Sequence, residues 1–138
     1  MPFPGEIIRA SDVGAWTAFT PTITASTNPT FSTSEGHYKK FGDTVHLLTN
    51  MVFLTAGVGT YAFTLPFASE QVNTEWVIGT VWFYDNPTTL VGVAMPNASG
   101  TTAQFRITSS NGAMSNTNPS AIVAGDALRL NLLYQAAS

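Results

Sequence analysis

The sequence predicts an all-β protein, an antiparallel jelly-roll-like sandwich of about eight strands with a short extended N-terminal arm. Hydrophobic residues make up 44% of the 138 residues and only 9% are charged, against roughly a quarter in an ordinary soluble domain. Short stretches rich in β-branched and aromatic residues recur at fairly even spacing between turn residues, a pattern typical of a sandwich. No apolar periodicity predicts a helix longer than one turn.

Eight stretches are predicted as strands, each bounded by turn residues. They are residues 18–25, 37–41, 44–54, 61–65, 76–84, 88–95, 102–108 and 127–135. Gly42-Asp43 is predicted as a tight hairpin turn, and Pro21 marks the first stretch as an edge strand or the start of a strand. Residues 26–36 and 109–120 are predicted as loops because Ser, Thr, Asn, Gly and Pro dominate them.

The chain divides into an arm over residues 1–16 and one sandwich domain over residues 17–138. Two prolines and a glycine among the first five residues exclude a regular start. The apolar side chains of the arm are its predicted anchoring residues. They are Phe3, Ile7, Ile8 and Trp16. Trp16 is expected to fill a hydrophobic slot where the arm meets the sandwich.

Two central strands are apolar on both faces, whereas a half-exposed antiparallel strand alternates apolar with polar residues. In 44–54 one face carries Val45 and Phe53 while the other carries Leu48 and Val52. Such strands need a second cover besides the domain core, and another copy of the chain is the favoured one. The alternative is a central strand covered by a long loop. The predicted interface residues are Leu48, Val52, Val77, Val81, Phe83 and Leu133.

The bulk composition excludes several classes of function. The formal net charge is −3, the pI is about 5.0 and only five residues are basic, whereas nucleic-acid binding needs a basic patch. No apolar run reaches the roughly 20 residues of a membrane-spanning helix, and no secretory signal is visible. Cysteine is absent, which excludes disulfides and thiolate metal sites. We therefore expect neither a nucleic-acid nor a membrane partner.

The ionisable residues form no catalytic or metal-binding pattern. His37 and His46 lie near Asp43 on the predicted hairpin, but a histidine metal site needs two or three converging ligands with a carboxylate, so hydrogen-bonded or solvent-facing histidines are expected. Glu70 and Glu75 are candidates for a hydrolytic carboxylate pair, together with Glu35, and nothing in the sequence places them together. No catalytic residue, metal ligand or cofactor is predicted, and the chain is not expected to be an enzyme.

The aromatic residues have two interpretations. Trp16, Trp76 and Trp82 could form a platform on which a sugar stacks, but aromatic side chains are also common in sandwich cores and interfaces. Trp76 and Trp82 share a predicted strand face with Ile78, which favours core or interface.

Four segments, in order, resemble a β-sandwich domain common in virion proteins of tailed bacteriophages, especially those of actinobacteria. They are WTAFTPTIT over residues 16–24, YKKFGDTVH over residues 38–46, GTYAFTLPF over residues 59–67 and AGDALRLNLLY over residues 124–134. Each motif is low in specificity, and the ordered resemblance across residues 16–135 is stronger. Ile122 stands near the place where the family often has a tryptophan.

The resemblance implies a jelly-roll-like sandwich that trimerises at a tail tip, at a tail fibre or on the virion surface, and it implies no catalytic residue. We expect a structural protein made in the host cytoplasm and placed on the virion surface. Because no shaft-forming segment is predicted, a trimeric capsid decoration or spike protein docked by its arm is favoured, with capsid or tail proteins as partners. The alternative is a tail-tip or tail-fibre receptor-binding protein that recognises host cell-surface glycan. A third, less favoured hypothesis is a lectin-like or carbohydrate-active domain.

Overall fold

The computed structural model describes residues 15–73, 76–108 and 112–137, so the predicted anchoring residues Phe3, Ile7 and Ile8 lie outside the described part. The described residues form strands and loops without a helix, which confirms the all-β class. The strands are β1 (Thr17–Phe19), β2 (Ile23–Thr24), β3 (Thr30–Phe41), β4 (Thr44–Thr55), β5 (Ala62–Thr64), β6 (Gly79–Asp85), β7 (Thr88–Pro96), β8 (Thr102–Ile107) and β9 (Ala127–Gln135).

The strands pair antiparallel in one sheet with the order β1-β3-β4-β9-β6-β7-β8-β5-β2. β1 and β2 stand at opposite ends of this order, although only residues 20–22 connect them. The four peptide units from Phe19 to Ile23 span about 14 Å at most, whereas eight strand spacings of a flat sheet measure about 38 Å. The sheet therefore curls until its two ends approach each other.

The segment around Pro21 joins the two ends of the curled sheet. The Pro21 carbonyl accepts a hydrogen bond from Ser34 Oγ in β3 (2.7 Å), and the Thr22 carbonyl accepts one from Thr64 N in β5 (3.0 Å). The prediction of one strand over 18–25 is therefore wrong. Proline has no N–H for a ladder, so the chain leaves one edge of the sheet at this point and joins the other.

β3 is longer than predicted, because residues 30–36 of the expected loop are part of it. It pairs with β4 from Thr30 to Phe41, with register shifts on both sides of Phe31. The tight turn at Gly42-Asp43 is confirmed, since Phe41 pairs directly with Thr44 and Gly42 has a positive φ of 62°.

The core lies inside the curl of the sheet. The predicted face of β4 with Val45 and Phe53 is buried, and the inner stripe of β9 is buried from Leu128 to Tyr134 at alternate positions. In the expected loop 109–120, Met114 is fully buried and its N and O bond Phe105 O and Tyr61 N, so this part of the chain closes one end of the core.

Two residues of β6 that were predicted to lie in an interface belong to the core. Val81 and Phe83 are 1% and 0% exposed, so they are core residues that no second chain can reach, and their prediction as interface residues is wrong. The strand starts at Gly79 instead of residue 76. Val77 would lie on the same face as Val81 if the strand extended to it, but it precedes the strand and is 58% exposed. Within β6, the alternation of side chains correctly separated Val81 and Phe83 from Trp82 and Tyr84, but it did not show which of the two groups faces inward.

Candidate functional site

The candidate site is the outer face of the central strands β4, β9, β6 and β7, the side that points away from the core. Cross-strand pairing builds it in rows, in which Leu48 lies beside Asn131 and Asn131 beside Thr80. The outer face consists of His46, Leu48, Asn50, Val52, Thr80, Trp82, Tyr84, Val91, Val93, Arg129, Asn131 and Leu133.

Large aliphatic side chains on this face are exposed. Leu48 is 41% exposed, Val91 57% and Leu133 55%. Val52, also on this face, is partly buried. Within the part of the chain that the structure describes, no segment buries Leu48, Val91 or Leu133, so the alternative of a central strand covered by a loop finds no support there. Three of the predicted interface residues, Leu48, Val52 and Leu133, therefore share one face, while Val77 lies outside the strands.

A groove of about 540 Å³ crosses the outer face. Inward-facing residues such as Val81 and Leu130 line it, and since their side chains are buried in the core, their backbone forms its floor. Its walls are the outer side chains Leu48, Thr80, Trp82, Val91, Thr108, Arg129 and Asn131. The volume lies in the range of small-ligand pockets, which is about 300–1,000 Å³. Most of the lining is apolar, so the groove suits aliphatic side chains better than a polar ligand.

One wall of the groove is a fixed cation beside an aromatic ring. The Arg129 guanidinium lies 4.6 Å from the ring centroid of Trp82, its cross-strand neighbour, and Arg129 Nε donates to Asn50 Oδ1 (3.3 Å). Trp82 also stacks on Tyr84, with centroids 6.0 Å apart and planes 8° apart. Because both neighbours hold the indole, the wall is preorganised and its charge is positive.

Trp16 lies on the edge of the same face and not in a slot, so that expectation is wrong. It is 43% exposed, its ring centroid is 5.4 Å from that of His46, and Lys39 Nζ lies 5.3 Å from the ring. His46 Nε2 in turn donates to Asn131 Oδ1 (2.9 Å). The first described residues of the chain are thus connected to the groove through His46 and Asn131.

The outer side of the sheet is basic although the whole chain is acidic. Lys39 and Arg106 lie on it with Arg129, since they pair with His46 and Val93, both outer residues. Glu35 is the acidic side chain that the described strands place there. The formal net charge of the chain is −3, so this face differs in sign from the molecule as a whole.

The structure does not bring the candidate carboxylates together. Glu70 N bonds Gln135 O, beside Thr44, whereas Glu35 pairs with Asn50. Thr44 and Asn50 are six residues apart on β4, about 20 Å along the strand. This separation of Glu70 from Glu35 exceeds the roughly 5–9.5 Å that a glycosidase carboxylate pair needs. Glu75 lies outside the described residues.

Two groups of residues escaped the sequence-based prediction. Asp126 is fully buried, and its Oδ2 accepts from Val123 N (3.0 Å) while Oδ1 has no hydrogen-bond partner. A second groove of about 450 Å³ lies along residues 20–24 and is lined largely by hydroxyl-bearing and proline side chains. Neither feature has a local sequence signal, because both depend on which distant segments pack together. Among the described residues, no three His, Asp or Glu side chains are grouped to hold a metal ion.

Comparison of the chain with family models, with curated proteins and with solved structures finds no match. In the described residues, no helix has the length and apolar character needed to cross a membrane.

Proposed function

We propose that this chain is a non-enzymatic structural protein on the surface of a tailed-phage virion, a trimeric capsid decoration or spike protein held in place by its N-terminal arm. The ordered sequence resemblance to phage virion domains supports the virion and the trimer. The observation that carries an assembly role is the exposed apolar outer face with Leu48, Val91 and Leu133. Several exposed aliphatic side chains on one face, beside a groove with a mostly apolar lining, are typical of an interaction site.

The lining of the groove favours protein contacts over catalysis or sugar binding. Its walls combine aliphatic side chains with one arginine, and the Trp82 ring already has Arg129 and Tyr84 against it. A sugar-binding platform needs a free aromatic face, whereas a protein segment can fill the groove with aliphatic side chains.

Electron cryomicroscopy of purified particles tests the proposal. Density for the chain on the capsid lattice, with three copies around each contact point, is the expected result. Particles that lack the protein would contradict a virion role.

Deletion of residues 1–15 is expected to abolish capsid binding while the sandwich still folds, and retained binding would refute the arm as the anchor.

The second candidate is a tail-tip or tail-fibre protein that recognises host cell-surface glycan. The observation in its favour is that Trp16 and Trp76 are 43% and 52% exposed, so part of each indole is accessible to a sugar. The isolated protein should then adsorb to host cells, and Trp16→Ala or Trp76→Ala should reduce adsorption. Density at the tail end of the particle would favour this function over decoration.

A further inference from the structure

The groove sets chemical requirements for whatever fills it. Leu48 and Val91 need aliphatic contacts to remove their exposed surface from water, at about 25 cal/mol for each Å². Arg129 offers the one charged group of the lining, and a carboxylate beside it would form a charge-assisted hydrogen bond. The occupant therefore carries aliphatic side chains next to an acidic one, in a segment narrow enough to lie in a trough.

The first 14 residues of this chain contain such a segment. Glu6 directly precedes Ile7 and Ile8, and Asp12 adds a second acidic side chain while Arg9 is the only basic one. The outer side of the whole sheet has the opposite charge balance, since it carries Lys39, Arg106 and Arg129 and only one acidic strand residue, Glu35, among the described residues. The two surfaces are thus complementary in charge as well as in apolar character.

The described chain begins on the same face and within reach of it. Trp16 contacts His46, which is bonded to the groove residue Asn131. Residues 6–8 lie seven to nine residues before residue 15 and reach about 23–30 Å from it when extended. The middle of the groove, at β9 and β6, lies only three to four strand spacings from β1, about 14–19 Å. Length therefore does not limit contact between the arm and a groove of this kind.

The direction of β1 decides between the chain's own groove and that of another copy. From Phe19, which pairs with Gly36, back to Thr17, which pairs with Tyr38, the chain runs toward the Gly42-Asp43 end of the sheet. The groove lies in the opposite direction along the strands. Its residue Leu48 pairs with His37, which is farther from the Gly42-Asp43 turn than Tyr38 is. Reaching its own groove would require the arm to reverse direction before residue 15, which favours a groove on an adjacent copy as the receiver.

We propose that residues 6–8 of one copy lie in the outer-face groove of an adjacent copy, with Glu6 beside Arg129 and Ile7 and Ile8 against Leu48 and Val91. This inference rests on the proposed assembly and names the surface that receives the arm. The arm then links neighbouring copies to one another, and loss of these links on deletion of the arm would weaken the hold of every copy on the capsid.

Site-directed crosslinking tests the exchange in the full-length protein, because the chain has no cysteine of its own. Copies with Ile7→Cys are mixed with copies with Thr80→Cys, an exposed outer-face residue that lines the groove, and are oxidised. The matched control replaces Thr80→Cys by Val58→Cys, which is 55% exposed but lies in the loop between β4 and β5. Mass spectrometry of the covalent dimers identifies the joined residues.

The expected result is a disulfide between Ile7→Cys of one copy and Thr80→Cys of another, formed at least tenfold faster than the control disulfide. Equal rates for both pairs, or no bond to Thr80→Cys, would overturn the proposal. So would a single chain with both substitutions that closes on itself while mixed copies do not join. Because soluble copies are used, this failure is distinct from absence of the protein from virions.

Discussion

The buried tyrosines show how single side chains link the core to the stability of the fold. Tyr134 OH donates to Phe67 O (2.8 Å) and Tyr61 OH donates to Ala56 O (2.7 Å), so each phenol anchors a loop from inside the sheet. Burial raises the pKa of both side chains from 10.0 to about 12, and the charge of Asp126 adds to the effect at Tyr61. Both phenols are therefore neutral in the fold over the whole range in which unfolded tyrosine ionises.

The raised pKa values predict a loss of stability at alkaline pH. Below the unfolded pKa of 10.0 both states are protonated and the stability is fully present, and it falls as the pH rises toward about 12, because only the unfolded chain releases the protons. Each tyrosine contributes a loss of up to about 3 kcal/mol over this window. Urea unfolding at several pH values measures it. Tyr61→Phe should flatten the dependence, and an unchanged slope in that variant would contradict the assignment.

The two faces of β6 predict opposite effects of one type of substitution. Val81→Asp places a carboxylate in the core without a partner, which should cost more than about 3 kcal/mol and unfold much of the protein. Thr80→Asp, one position along on the exposed face, should change the free energy of unfolding by less than about 0.5 kcal/mol. Circular dichroism during urea unfolding compares them. Equal stability of the two variants would show that the inner face is not where the structure places it.

The same residues show how far sequence reasoning reaches. Alternation correctly separated Val81 and Phe83 from Trp82, because side chains of a strand alternate between its two faces. It could not tell which group is buried, since both groups are apolar and burial depends on the strands that pack against β6. Leu48 was found because both faces of strand 44–54 carry apolar residues, which calls for a second cover, and Leu133 because it points away from the core stripe of the last strand.

At the scale of elements, edge strand β1 depends on a glycine in its neighbour. A Cβ on Gly36 would lie 2.6 Å from Cε1 of Phe19, so the Phe19 ring packs on the bare backbone of β3. Together with the Ser, Thr, Asn and Pro residues before it, this glycine made residues 26–36 look like a loop, although its role is to admit the ring in the middle of a strand. The misassigned boundary therefore has a tertiary cause that local composition does not reveal.

Gly36→Ala is expected to push the Phe19 ring away and loosen β1, with a loss of about 1–3 kcal/mol. Urea unfolding measures the loss, and hydrogen exchange of the β1 amides locates it. In the Phe19→Leu background, whose side chain has no ring to collide with, the same substitution should cost less than half as much. A loss that is identical in both backgrounds would place its cause elsewhere than in the contact with Phe19.

At the scale of the whole molecule, the curl of the sheet produces one closed core and one open face. β4, β9, β6 and β7 span about 19 Å, and the nine paired residues of β4 and β9 extend for about 30 Å. The outer face thus measures about 600 Å², somewhat less than the roughly 800 Å² that each partner buries in a typical stable interface. An arm bound in the groove, as proposed, would supply the remaining contact area of an interface of this size.

Leu133→Asp tests whether this face holds the assembly together. Leu133 is 55% exposed, so the substitution should leave the isolated fold intact, whereas a carboxylate buried without a partner between copies costs several kcal/mol. If the proposed trimer forms, we expect its mass from light scattering to fall to that of a monomer at micromolar concentration in this variant. Val123→Asp is the matched control, because Val123 is 56% exposed but lies in the loop before β9. If both variants form the same oligomer as the unmodified chain, the copies meet through another surface, and the outer face is then open to a different partner.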